Sequence, residues 1–261
     1  MIATGTKEWA VHNENMLKGC LHDCRYCYAH AMAKRFDRVG ENGWISELVV
    51  ENQLAKTTKR YSGRVMFPST HDITPEHLEQ SLQYIDKMLL AGNTLLIVSK
   101  PHLACIGAIC TRFSPCKERI LFRFTIGSAN SETLKFWEPG APDFEERLES
   151  LKCAHAQGFA TSVSCEPMLD RGVQAVISQV LPYVTDSIWL GKANRLKVNL
   201  SLNGHSDPIT LNRADELLSW QSDERILRLY EELGGNPKIK WKESIKKVVG
   251  IRLQTVSGMD E

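Results

Sequence analysis

A formal net charge of +1 over 261 residues leaves the sequence without a global electrostatic commitment, which argues against a surface dedicated to nucleic acid or to an anionic membrane. Any basic footprint must be local. The sequence also lacks an apolar run long enough to span a bilayer and opens with no charged-then-apolar leader, so the expected location is cytoplasmic, with no membrane partner. It has no internal repeat and no low-complexity tract. Cysteine is not scarce, at eight residues, but the chain is too long and too regular for the disulfide framework of a small secreted domain. Cys105, Cys110, Cys116, Cys153 and Cys165 are scattered and read as buried thiols that pack as small apolar residues.

The other three cysteines are clustered. Residues 20–27 read CLHDCRYC, a CxxxCxxC spacing with Tyr26 before the third cysteine. Three thiolates within eight residues are able to converge on one soft-metal centre, and iron–sulfur clusters take such ligands. A four-iron cluster held by three cysteines keeps one iron open to a group that is not protein. A zinc site is the rival reading, with His22 or His30 as the nearby candidates for a fourth ligand. Three unrelated thiols are the third.

The rest of the sequence alternates strand and helix. Segments 64–67, 94–99, 120–126, 159–165 and 187–190 read as strands, and 94–99 (TLLIVS) has the continuous apolar character of a strand covered on both faces. A short first strand around Met16-Leu17 leads into the cysteine loop. Helical spacing marks 28–39, a short helix near Leu54, and a helix capped by Thr74 with Pro75 at its first position, whose Leu78, Leu82, Ile85 and Leu89 share a face. Further helices are expected at 103–111, after Asp143 with Glu146 three residues on, at 172–181, and after Ser222. Residues 195–208 read as a polar loop, and 238–251 as a terminal strand and helix rich in lysine. Six strand–helix alternations predict a parallel α/β fold, a partial (β/α)6 TIM-like barrel, in one domain with its core over about residues 16–194 and an extension over 195–261.

CLHDCRYC resembles the signature of the radical S-adenosylmethionine (SAM) enzymes. Within them, FPSTHDIT, LLIVSKPH, FTIGSAN, EPGAPDFEERLESLKCAHAQG and SVSCEPMLD are similar to the spore photoproduct lyase-like group, over most of residues 16–194. The resemblance implies a radical SAM barrel and a 4Fe-4S cluster held by Cys20, Cys24 and Cys27, with Tyr26 beside it. It further implies S-adenosyl-L-methionine on the open iron, cleaved reductively to a 5′-deoxyadenosyl radical, and an electron donor such as flavodoxin or ferredoxin. The lyase itself carries a hydrogen-donating cysteine at the loop after strand two, where this sequence reads Ser69-Thr70-His71-Asp72; thymine-dimer reversal by that route is not implied.

Reactive groups of a parallel barrel collect at the carboxyl ends of its strands. Ser69 and Thr70 stand where the family contacts the amino group of SAM. Lys100 offers an ammonium to the methionine carboxylate. Ser128 and Asn130 are candidates for the ribose hydroxyls, against a helix-capping role. Glu166 is a candidate for a ribose or a substrate amine, against an internal ion pair, and Lys192 and Asn194 are weaker substrate contacts. Cys165 is a candidate hydrogen donor, against a packed core thiol. The lysines at 238, 240, 242, 246 and 247 with Trp241 are able to track a phosphate backbone while the indole stacks a base, against a solvated face. The functional readings are therefore a radical SAM enzyme on a nucleic-acid base or lesion, the same chemistry on a peptide, protein or metabolite, with or without a partner protein completing the site, and a zinc-bearing nucleic-acid-binding module.

Overall fold

The continuous apolar runs form strands covered on both faces. The computed structural model describes residues 2–40 and 43–259. A 3-10 turn over Gly5–Glu8 precedes β1 (His12–Asn13), β2 (Leu17–Lys18), α1 (Tyr28–Arg35), β3 (Leu48–Val49), α2 (Glu51–Ala55) and β4 (Val65–Phe67). Then come α3 (Leu78–Leu90), β5 (Leu95–Ser99), α4 (Leu103–Phe113), β6 (Ile120–Thr125), α5 (Ser131–Trp137), α6 (Phe144–Ala156), β7 (Ala160–Cys165), α7 (Val173–Val180) and β8 (Ile188–Leu190). The chain continues through α8 (Leu196–Asn203), α9 (Pro208–Trp220), α10 (Asp223–Leu233), β9 (Ile239–Trp241) and α11 (Glu243–Val249).

One seven-stranded sheet runs in the order β1-β4-β5-β6-β7-β8-β9, every neighbouring pair parallel. Strands laid side by side in chain order, with helical crossovers between them, make the wall of a partial TIM-like barrel rather than a doubly wound sheet. The strand alternation sorts residues to two sides. Val65, Phe67, Leu95, Ile97, Ile120, Phe122, Phe124, Val163 and Ile188 pack in the large core that includes the helices. Met66, Leu96, Leu121 and Trp189 form a smaller cluster on the opposite face, with Trp9 and Ala10 from the N-terminal segment.

The differences from the expected fold have local causes. The first strand of the sheet is His12–Asn13, two residues long, too short and too polar to show in the sequence. Leu17–Lys18 instead pairs antiparallel with Leu48–Val49 in a separate ribbon. Helix α1 stops at Arg35, and Asp37 adopts a left-handed φ of 51°. Thr74 precedes a 3-10 turn over Pro75–His77, and its hydroxyl goes to Glu47 Oε2 at 3.0 Å instead of capping. Ser222 occupies the N-cap position of α10 without a side-chain cap bond. The polar stretch after Arg195 is helix α8, not a loop. Asp207 caps α9, accepting from Thr210 N at 3.0 Å, with Pro208 at its first position.

The extension is woven into the sheet through β9. Lys242, fully buried, contacts Glu8 and donates to the Gly5 carbonyl at 2.9 Å, while Glu243 N donates to Glu8 Oε1 at 2.9 Å. Gln221 adds a second tie, donating to Met168 O and accepting from Ala193 N, each at 2.7 Å. The lysine-rich tail is thus largely structural. Lys246 is buried beside Trp189, Lys238 donates to Val184 O at 2.6 Å, and Trp241 packs on Tyr230 with ring centroids 5.2 Å apart.

His71 is buried, accepting from Met16 N at 3.2 Å and bonded to its neighbour's carbonyl, Asp72 O, at 2.9 Å. Burial lowers its pKa to about 4, below the ordinary 6.5. The folded state therefore binds fewer protons than the unfolded chain between these values, and stability falls as pH drops through 6.5 and levels off near 4. The His71 share is about 3 kcal/mol. Urea unfolding at pH 7 and pH 4.5 is expected to show this loss, and H71Q to show a smaller difference between the two pH values.

Candidate functional site

The cysteine loop lies between the β2–β3 ribbon and α1, and its backbone is held from four sides. Cys20 N donates to Trp44 O at 2.9 Å and Leu21 N to Glu47 Oε1 at 3.0 Å. Arg25 N donates to Trp137 O at 2.9 Å and Gly140 N to His22 O at 3.0 Å. From α8, Asn203 Nδ2 reaches the carbonyls of Arg25 and Cys27, both at 3.0 Å, and Asn199 Nδ2 that of Tyr26 at 3.3 Å. With its backbone groups paired to neighbours, the loop presents its thiols from a fixed frame. Gly140 makes this approach feasible, since a Cβ there would lie 2.1 Å from the Leu21 carbonyl oxygen.

Cys20 and Cys24 are buried and Cys27 is half-buried. Burial pushes all three thiols up, and the cysteines press on one another, Cys24 and Cys27 raising Cys20 and Cys27 raising Cys24. The three thiols therefore feel one another's charge. The Lys100 ammonium opposes the burial at all three and favours their thiolates. Cys27 also caps α1, its Sγ accepting from His30 N at 3.4 Å, which favours a negative sulfur at the helix start.

Spacing separates the metal readings. Sulfurs around one tetrahedral zinc stand about 3.8 Å apart for a Zn–S bond of about 2.3 Å. Among the described residues the ligand atoms gathered within 4.8 Å of one another belong to Cys20, His22 and Asp72, not to the three cysteines. His22 has both ring nitrogens engaged, with Asp72 Oδ2 and with His102 Nε2, each at 2.9 Å. His30 lies flat on Trp44, ring centroids 4.9 Å apart. The three cysteine sulfurs are thus not drawn together as closely as one zinc ion held by all of them would require.

Asp72 ties the loop to the barrel. Its Oδ1 accepts from Ser99 Oγ at 2.9 Å and Lys100 N at 2.7 Å; its Oδ2 faces His22 Nδ1 at 2.9 Å, Lys100 Nζ at 3.4 Å and Cys20 Sγ at 3.9 Å. Burial alone would raise this carboxyl, but Lys100 and His22 hold it well below the usual range. Lys100 is likewise raised against the effect of burial, first by Asp72 and then by Cys24, Tyr26 and Glu138. The anion facing Lys100 is thus internal, where the sequence pointed to a methionine carboxylate. Tyr26 gives its hydroxyl to Glu138, whose other oxygen meets Arg147 Nη2 at 2.6 Å in a fully buried pair.

The remaining candidates stand at the strand exits in structural roles. Asn15 Oδ1 accepts from Ser69 N at 2.7 Å and Thr70 N at 2.9 Å, and the Tyr28 hydroxyl donates to Ser69 O. Asn130 caps α5, accepting from Thr133 N at 2.9 Å, and Ser128 bonds Asp170. Glu166 crosses β8 at Gly191, where a Cβ would lie 2.8 Å from its Cγ, and reaches Lys242 at 3.5 Å. Lys192 pairs with Asp223 at 2.9 Å. Cys165 is fully buried in the main core, its thiol pushed by burial up to about 12. The structure thus gathers Cys20, Cys24, Cys27, Tyr26 and Lys100 and leaves Ser128, Asn130, Glu166 and Cys165 with capping, ion-pair or packing partners. Sequence reasoning missed Asn15, His22 as a bridge, Asp72, Glu138, Arg147, Asn199 and Asn203. His22, Asp72, Glu138 and Arg147 stood inside the quoted segments CLHDCRYC, FPSTHDIT and EPGAPDFEERLESLKCAHAQG; Asn15, Asn199 and Asn203 lay outside them.

No family model matches the chain. Over 172 residues it is 30% identical to an uncharacterized protein, ORF301, of Acidianus two-tailed virus, a match covering 61% of this chain and 56% of that relative. The chain thus spans little more than half the length of that relative. Among solved structures it is similar to a cysteine-to-serine mutant of spore photoproduct lyase, with a TM-score of 0.56, 15% identity, and coverage of 92% of this chain and 78% of that one. A double mutant of the same enzyme, with bound AdoMet and dinucleoside spore photoproduct, gives a TM-score of 0.54 at 15% identity, covering 87% and 74% of the two chains. The fold is a partial TIM-like barrel similar to that of spore photoproduct lyase.

In G140A the new methyl collides with backbone, not with a flexible side chain. The variant is expected to lose about 1–3 kcal/mol of stability and to incorporate less iron on anaerobic reconstitution, as checked by its thermal midpoint and by iron per chain.

Proposed function

We propose that the chain is a radical SAM enzyme in which Cys20, Cys24 and Cys27 hold a 4Fe-4S cluster and the barrel mouth takes S-adenosyl-L-methionine. The observation that carries this reading is the CxxxCxxC loop itself, backbone-clamped and with Lys100 favouring all three thiolates, in a fold similar to that of an enzyme whose structure holds AdoMet. The cluster, when bound, supplies the electron that cleaves SAM to a 5′-deoxyadenosyl radical. The protein's own part is electrostatic and geometric. Lys100 offsets thiolate charge, and Asp72 keeps Lys100 ionised and in place. Tyr26 anchors the loop to the buried Glu138–Arg147 pair, while Asn199 and Asn203 fix its carbonyls. Burial of Cys20 and Cys24 excludes water from two of the three ligand positions.

The substrate class to test first is a nucleic-acid base or lesion, supported by the dinucleoside bound to the structural relative and not by the lysine tail, two of whose members are buried. A peptide, protein or metabolite substrate is the alternative. The zinc-module reading is disfavoured by the sulfur spacing and by the use of Lys242 and Trp241 in the interior.

Anaerobic, reconstituted protein is expected to be brown and to form 5′-deoxyadenosine from SAM with dithionite, with formation abolished in C24A. A rise on adding DNA or RNA supports the nucleic-acid class, and indifference redirects the search to peptides and metabolites. Cluster-loaded protein that forms none overturns the reading.

A further inference from the structure

We propose that the solvent face of α1, with the neighbouring face of α8, is the docking surface for a small acidic one-electron donor protein. The inference rests on the radical SAM reading above and adds the place at which the electron enters.

Among the three cysteines Cys27 is the one that is not buried, so the exposed corner of the site opens toward α1. Cys27 is also the N-cap of that helix. At a rise of about 1.5 Å per residue, Met32 lies about 7–8 Å along the axis from Cys27 and Phe36 about 13 Å. The outward face carries large apolar side chains that nothing covers: Met32 is 51% and Phe36 52% exposed, and Val198 and Leu202 on the adjoining α8 are 47% and 37% exposed. Exposed apolar groups gathered beside a functional site mark an interaction surface rather than ordinary scatter.

Charge identifies the partner. Residues 34–38 place three exposed cations, Lys34, Arg35 and Arg38, against the single carboxylate of Asp37. The Arg35 and Arg38 guanidinium carbons stand 5.7 and 5.2 Å from the Phe36 ring centroid, an apolar centre with a basic rim. That pattern complements an acidic surface around a small apolar patch. Its modest extent suits the small interfaces of transient electron-transfer encounters. In the step itself the donor, a flavodoxin- or ferredoxin-like protein, is oxidised by one electron and the iron site is reduced by one. No bond is made or broken and no proton moves.

The test separates docking from chemistry. Binding of a recombinant flavodoxin and of a ferredoxin to the cluster-free protein is measured at low and high salt, for wild type, M32D and R35E/R38E. 5′-Deoxyadenosine formation by loaded protein is then driven either by the reduced donor or by dithionite. The charge-reversal variant is expected to weaken donor binding at low salt by about tenfold or more, with the difference shrinking at high salt. Donor-driven turnover is expected to fall in parallel and dithionite-driven turnover to stay within about twofold of wild type. M32D is expected to weaken binding at both salt concentrations. Unchanged donor binding in the variants overturns the proposal, as does failure of the wild type to bind either donor. A loss of DNA affinity with donor affinity intact assigns the face to nucleic acid instead, and a parallel loss with both reductants assigns it to support of the site. If wild type gives no product with dithionite, the radical SAM reading fails, while the binding measurements still decide the docking face.

Discussion

A single buried carboxylate, Asp72, is the junction on which the site depends. It accepts from the β5 exit through Ser99 and Lys100, from the cysteine loop through His22, and faces the Cys20 sulfur. An ionised carboxylate is stable in such a position only with compensating cations and donors around it, and here each donor belongs to an element that must be correctly placed. The barrel wall and the cysteine loop are therefore registered by one set of hydrogen bonds. Lys100 has the same dual character, balancing Asp72 on one side and facing the Cys24 and Tyr26 side of the site on the other.

The strands most legible in the sequence were those whose residues are buried on both faces. Leu95–Ser99 announces itself by a nearly unbroken apolar run, and Ile120–Thr125 keeps that character around one buried arginine, Arg123, paired with Ser162 and Asp186. His12–Asn13 carries no such mark, since two polar residues form a strand only by pairing with an established neighbour. The same limit applied to α8. Its buried face includes Asn199 and Asn203, which serve the carbonyls of the cysteine loop, and amide side chains turned inward erase the apolar periodicity that identifies a helix. Asp207-Pro208 was a start signal for α9 that was present and not used.

The site was legible where chemistry is concentrated in spacing and illegible where it is distributed. CxxxCxxC carries its meaning within eight residues. Arg147 is a fully buried arginine within FEERLES, and nothing local distinguishes it from its exposed neighbours; the carboxylate that holds it arrives from a different loop. Ser128, Asn130 and Glu166 showed the converse problem. Short polar residues at strand exits serve equally as ligand contacts or as caps and internal partners, and the sequence alone does not show which partners they take in the fold.

The seam between the first and last elements of the sheet has a consequence for biosynthesis. Glu8 and Gly5, near the start of the chain, meet Lys242, near its end, and β9 is the final strand of the wall. As the chain emerges from the ribosome, Glu8 waits for Lys242 until more than two hundred further residues have been made. Until then the partial barrel has an open edge at β8 and an unsealed interior, the kind of intermediate that exposes apolar surface. The cysteine loop is secured earlier, once Asn199 and Asn203 of α8 have been made, so its frame is complete before the last strand closes the wall.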